Sequence, residues 1–120
     1  MPTVRRPRIL VVEDQPLLRV HANLALEEAG YTVVEAGDAE EALAVLATDP
    51  DVAAVFTDIR MPGDVDGLEL AHRLHADRPD LKVIVTSGAE QVEKDALPPG
   101  GVFVAKPYTA AEIARALQDA

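Results

Sequence analysis

Asp58 stands directly behind the apolar run Val52-Ala53-Ala54-Val55-Phe56-Thr57 and just ahead of the chain-breaking Met61-Pro62-Gly63. A carboxylate at the end of a buried strand is held at the rim of a sheet, where it meets solvent and ligands but cannot retreat into the core. Two more acids, Glu13 and Asp14, follow a second such run, Ile9-Leu10-Val11-Val12, and Lys106 follows a third, Val102-Phe103-Val104-Ala105. Carboxylates ~4 Å apart repel by about 4 kcal/mol at an effective dielectric near 20. Such a cluster must protonate, stay wet or hold a cation. All-oxygen ligation without His or Cys points to Mg²⁺, which keeps several waters and shares its site with phosphate oxygens. A solvated acidic rim that binds nothing is the rival explanation for the acids alone, and Lys106 at a third strand end weighs against it.

With Lys106 beside it, Asp58 has a task as nucleophile, attacking a phosphoryl group to give an acyl phosphate. Lys106 would contact a phosphoryl oxygen. An ion pair with the acids at rest is the blander role, and both can hold. Thr86-Ser87-Gly88 brings a hydroxyl and a close-approach glycine to a fourth strand end, although a hydroxyl there is also ordinary turn chemistry. Lys106-Pro107 is an X-Pro bond, the type that carries nearly all cis peptides. His21, His72 and His75 lack metal-ligand spacing relative to the acids and read as surface residues.

The elements that must position these groups alternate along the chain. Strands are expected at Arg8–Val12, Thr32–Glu35, Val52–Thr57, Lys82–Thr86 and Gly101–Ala105, mostly near-continuous apolar runs suited to strands covered on both faces. Between them, Leu17, Leu18, Ala22, Ala25, Leu26 and Ala29 recur at helical spacing up to Gly30. Asp38 with Glu41 makes a capping-box pattern ahead of Ala42, Leu43 and Leu46. Leu68, Leu70, Ala71 and Leu74 line a third helix. Thr109 with Glu112 caps a last one with Ile113, Ala116 and Leu117 inward. The stretch Glu90–Leu97, running into Pro98-Pro99-Gly100-Gly101, has little apolar periodicity and is expected to form at most two turns of helix or an irregular loop. The pattern predicts an α/β fold with a doubly wound parallel sheet, which binds ligands at the carboxyl ends of its strands.

At 120 residues the chain is one domain's worth, with 48% hydrophobic and 27% charged residues. It has no cysteine, hence no disulfide framework and no thiolate metal site. No segment approaches the ~20 apolar residues of a membrane span, and the N-terminus does not read as a secretory signal. A cytoplasmic location is the default expectation. The net charge of −10 and the 3% aromatic content argue against direct nucleic-acid binding.

Taken together, these residues resemble the receiver domain of two-component response regulators. The resemblance runs from Val-Val-Glu-Asp at 11–14 through Asp-Ile-Arg-Met-Pro-Gly at 58–63 and Asp-Gly at 66–67 to Lys-Pro-Tyr at 106–108. It implies a five-stranded sheet in the order 2-1-3-4-5, an order the family supplies. It further implies that Glu13 and Asp14 hold Mg²⁺, that Asp58 is both phosphoacceptor and metal ligand, and that the Arg60 backbone carbonyl completes the coordination. Ser87 matches the switch hydroxyl with Thr86 its inward neighbour, Phe103 the aromatic that turns with it, Lys106 the family's lysine, and Lys106-Pro107 the family's cis peptide. The turn from Met61 to Gly67 is one residue longer than the commonest spacing, and the segment from Ser87 to Lys106 is short.

The expected function is that of a single receiver unit (1–120, core 8–119) without an effector domain. It would be phosphorylated on Asp58 by a histidine kinase or a histidine phosphotransfer protein, and would act as a monomer or weak dimer on an unknown protein target. A phosphorelay intermediate or phosphate sink is a variant of that reading. A never-phosphorylated interaction module is the rival from another class, disfavoured because the acid cluster is complete. An aspartate-based phosphohydrolase would need a general acid two residues after Asp58, where Arg60 cannot serve.

Overall fold

The computed structural model describes residues 8–59, 66–88, 93 and 96–119. Five strands, β1 (Arg8–Val12), β2 (Thr32–Ala36), β3 (Val52–Asp58), β4 (Lys82–Ser87) and β5 (Val102–Ala105), form one sheet in the order β2-β1-β3-β4-β5. Every adjacent pair is parallel. The described helices are α1 (Pro16–Glu28), α2 (Ala39–Thr48), α3 (Gly67–Asp77) and α4 (Ala110–Asp119). This is the expected doubly wound α/β fold.

Both faces of the sheet are covered, which is why its strands read as continuous apolar runs. On one face Ile9, Val11, Ala54, Phe56, Ile84 and Val104 pack against Ala22, Ala25 and Leu26 of α1 and Ile113, Ala116 and Leu117 of α4. On the other, Leu10, Val12 and Val55 meet Ala39 and Ala42 of α2 and Leu70 and Leu74 of α3, while Val83 and Val85 meet Ala71 and Leu97. Full burial of a Leu or Ile side chain contributes roughly 1.5–3 kcal/mol, so residues such as Leu26, Leu70 and Ile113 fix the helices that frame the strand ends.

Local signals work as expected at the helix termini. The Glu41 backbone N–H donates to Asp38 Oδ1 at 2.8 Å, and the Glu41 carboxylate accepts from Gly37 N at 3.1 Å. Thr109 and Glu112 exchange both bonds of a capping box. Gly30, at φ +99°, ends α1, with Tyr31 N donating to Leu26 O in a Schellman closure.

Three strands run one residue beyond the sequence reading, to Ala36, Asp58 and Ser87, and β5 begins one later, at Val102. Asp58 and Ser87 are thus themselves paired strand residues, held by the ladder rather than by a turn. Leu17 departs from the expected apolar stripe: it is 85% exposed, because helical phase puts it with Val20 and Leu24 on the face away from buried Ala22, Ala25 and Leu26. Most of the segment expected to be a short or irregular fourth helix lies outside the described residues. What is described shows a turn at Ala96 and Leu97 buried against Val83 and Val85. No described helix is long and apolar enough to cross a membrane.

Candidate functional site

The site is built on the carboxyl ends of β1, β3, β4 and β5. The register pairs Val12 with Thr57 and Asp58 with Thr86, and then Ser87 with Ala105, so Glu13, Asp58 and Lys106 emerge side by side. Glu13 is anchored by its backbone N–H to Ala36 O at 3.0 Å, and its Oε2 accepts from Gln15 N at 3.2 Å. Lys106 Nζ donates to Asp58 Oδ2 and lies 3.5 Å from Glu13 Oε1. Glu13 and Asp58 are only 5% and 7% exposed. Asp14, beside Glu13, is half-buried. Burial pushes the Glu13 carboxyl up from 4.5 to about 7, and its contacts with Asp58 and Asp14 add to the shift.

A buried carboxyl raised this far, against two neighbouring acids and with one ammonium shared between two of them, has too little positive charge around it. Among the described residues no three acidic or histidine side chains converge as a ready-made metal-binding group. The donor set is nonetheless all oxygen and short of positive charge, which suits a hard dication. Arg60, whose carbonyl was expected to join it, lies outside the described residues, as do Met61 to Val65.

Ser87 and Phe103 lie on the opposite face from Lys106. Val83, Val85 and, by alternation, Ser87 face α3, and Phe103, half-buried and register-paired with Val85, packs against the cluster of Val83 and Val85. The Ser87 side chain is 3% exposed and its carbonyl accepts from Lys106 N at 3.1 Å, tying the end of β4 to the lysine. The Lys106–Pro107 peptide bond is cis. His72 sits outside this site, with Nε2 2.6 Å from Ala96 O.

Sequence reasoning passed over three residues that shape the site. Arg19, one turn into α1, donates from Nη1 to Glu13 O at 3.0 Å and fixes the turn that presents the acids. Gly67 donates to Ile59 O at 2.8 Å and presses its Cα against β3; a Cβ there would collide with the Asp58 carbonyl and come within 2.9 Å of Ile59 Cα. Tyr108 stacks edge-on against Phe56 with centroids 5.2 Å apart, and its hydroxyl is pushed up to about 12 by burial and by the charges of Glu13 and Asp58. Arg19 carried no signal beyond its distance from Asp14. Gly67 and Tyr108 carried one in the Asp-Gly and Lys-Pro-Tyr steps.

A family model for the response regulator receiver domain matches residues 9–118. The chain belongs to this family. Among curated proteins it is 34% identical over 109 residues to the probable transcriptional regulatory protein TcrX of Mycobacterium tuberculosis, covering 88% of this chain and 45% of that one. It is 36% identical over 115 residues to the transcriptional regulatory protein PhoP of Escherichia coli, covering 92% and 50%. The chain thus spans about half the length of these relatives. Among solved structures, the response regulator protein TrrA of Thermotoga maritima, in complex with Mg²⁺ and BeF, superposes with a TM-score of 0.79 at 30% identity, covering 92% and 96%. A receiver protein from Sinorhizobium medicae shares the fold at a TM-score of 0.86 and 24% identity, covering 97% and 94%. Receiver domains are regulatory modules of two-component systems, and phosphorylation and Mg²⁺ binding are typical of them.

Proposed function

We propose that this receiver accepts a phosphoryl group on Asp58 from the phosphohistidine of a histidine kinase or phosphotransfer protein in the cytoplasm, and that the phosphorylated state alters what its surface binds. The observation that carries the reading is the Lys106 ammonium held against both Asp58 and Glu13. A cation so placed steadies the carboxylate at rest and is in position for the phosphoryl oxygens once they arrive. Glu13, Asp14 and Asp58, with the Arg60 carbonyl that the family pattern implies, would hold Mg²⁺. When bound, it supplies the remaining charge neutralisation for phosphoryl transfer. Strand alternation turns Ser87 and Phe103 to one face of adjacent strands, which supports reading them as a hydroxyl and an aromatic that respond together. The protein is itself changed by the transfer, which makes it a regulator rather than an enzyme.

The donor's docking face is α1. Among the described residues, the large apolar side chains left exposed are Leu17, Val20 and Leu24, all on this helix. Their i, i+3, i+7 spacing makes a narrow seam suited to a partner helix. The helix begins two residues after Asp14, so a helix lying on that seam ends beside Asp58. Pairing with a second copy in antiparallel fashion would set Glu27 and Glu28 against the partner's Asp14 and Glu13, so charge favours a different, basic-rimmed helix.

The test is incubation with a phosphorylated histidine-containing donor and Mg²⁺, followed by hydroxylamine treatment. Label that appears on the receiver only with Mg²⁺ and is released by hydroxylamine is an acyl phosphate and supports the reading. Label that is absent, or stable to hydroxylamine, refutes it.

A further inference from the structure

Among the described residues, three buried side-chain polar atoms lack a hydrogen-bond partner: Asn23 Oδ1, Arg78 Nη1 and Thr86 Oγ1. The first two belong to groups that bond through another atom, Asn23 Nδ2 to Glu35 and Arg78 Nη2 to Val52 O. Thr86 has a single polar side-chain atom, is 1% exposed, and leaves that atom orphaned. Its position is specific. Thr86 is the register partner of Asp58 on the neighbouring strand, and its carbonyl accepts from Ile59 N at 3.1 Å. Ile84, two residues earlier, and Phe56, two before Asp58, both point to the α1 and α4 face. By strand alternation Thr86 and Asp58 share that face, and neighbouring strands lie about 4.8 Å apart. A valine of the same shape would fill the space without leaving a polar atom unsatisfied.

We propose that the Thr86 hydroxyl is reserved for the phosphorylated site, where it donates to the carboxyl oxygen of Asp58 that Lys106 relinquishes. The inference rests on the phosphoacceptor reading above. In the transfer, one Asp58 oxygen bonds to phosphorus, the donor's phosphorus–nitrogen bond breaks, and its electron pair stays with the imidazole. The other Asp58 oxygen becomes the carbonyl of an acyl phosphate. The phosphoryl group carries more charge than that carbonyl and draws the Lys106 ammonium to itself. Thr86, on the adjacent strand, then supplies the carbonyl with a donor, and a polar atom that costs stability at rest is satisfied only after transfer. Thr86 is a second hydroxyl beside Ser87, on the opposite face of β4.

The experiment measures beryllofluoride affinity in saturating Mg²⁺ by calorimetry, and the melting midpoint without either ion, for wild type, Thr86→Val and Thr86→Ser. The expected result is that T86V melts higher than wild type at rest yet binds beryllofluoride roughly three- to tenfold more weakly, the range of one hydrogen bond. T86S, which keeps the hydroxyl, retains wild-type affinity to within about twofold. Equal affinity of T86V and wild type overturns the inference. So does a lower resting midpoint for T86V, which would mean the hydroxyl is already satisfied, or an equal loss in T86S, which would assign the effect to packing. Failure of wild type itself to bind beryllofluoride would bring down the phosphoacceptor reading and this inference together.

Discussion

The two ends of the sheet each carry a cluster of charges, and they are built to opposite purposes. At the amino end, Arg8 Nη1 pairs with Asp49 Oδ2 at 2.7 Å, and Arg78 Nη2 donates to Val52 O at 2.7 Å and Pro50 O at 3.4 Å. Arg8 holds the Asp49 carboxyl below its usual value, chiefly through that hydrogen bond. The one acid there has a cation to itself near solvent, and the two arginines tack the strand start to the turns beside it. At the carboxyl end, one ammonium serves two buried acids, Glu13 is raised to about 7, and the Thr86 hydroxyl has no partner. At one end the carboxylate is paired as it stands. The other end is short of positive charge and of one acceptor, as the proposed site for a cation and a phosphoryl group would be.

The largest effect expected is on the backbone beneath the deficient end. Gly67→Ala drives a Cβ into the Asp58 carbonyl, so urea denaturation should show a loss of about 3 kcal/mol. A near-neutral G67A would mean that β3 and the start of α3 are not locked together. Next is Lys106→Ala, which should keep the fold but lower the rate of phosphoryl uptake on the order of 100-fold and abolish phosphorylation-dependent partner binding. A variant with wild-type uptake would make the lysine a mere ion pair, like those at the other end.

The pH dependence separates the two ends further. Glu13 has its native pKa raised from 4.5 to about 7, so between these values the folded state holds a proton the unfolded chain has released. Stability without divalent ions should therefore fall as pH rises from about 4.5 to 7, with the penalty complete above 7. Added Mg²⁺ should raise the melting midpoint more at pH 8 than at pH 5, and Glu13→Gln should flatten the slope. A slope unchanged in E13Q would assign it to other groups. The smallest effect is expected from Asp49→Asn at the amino end. An exposed pair contributes little, so D49N should leave Mg²⁺ binding unchanged and the midpoint only slightly lower.

Most of this architecture was legible in the sequence because the parallel strands announce themselves as apolar runs ending in Glu13, Asp58, Ser87 and Lys106. The caps at Asp38 and Thr109 and the stop at Gly30 are equally local signals. What escaped notice depends on which face a residue takes. Leu17 is apolar but falls on the outer face of α1 with Val20 and Leu24. Thr86 is one letter from Ser87, yet strand alternation sends it to the other face, beside Asp58. Arg19 acts through a backbone carbonyl, which no side-chain pattern encodes. The strand order 2-1-3-4-5 came from the family resemblance, since periodicity gives elements and not their neighbours.

The most direct test of the account is the intact mass of the chain after incubation with Mg²⁺ and acetyl phosphate, beside an Asp58→Asn control. The account predicts a gain of a single phosphoryl group in the wild type, none in the control and none when EDTA removes the metal. Equal labelling of both proteins, or no labelling of the wild type by this donor or by a phosphohistidine protein, would contradict it.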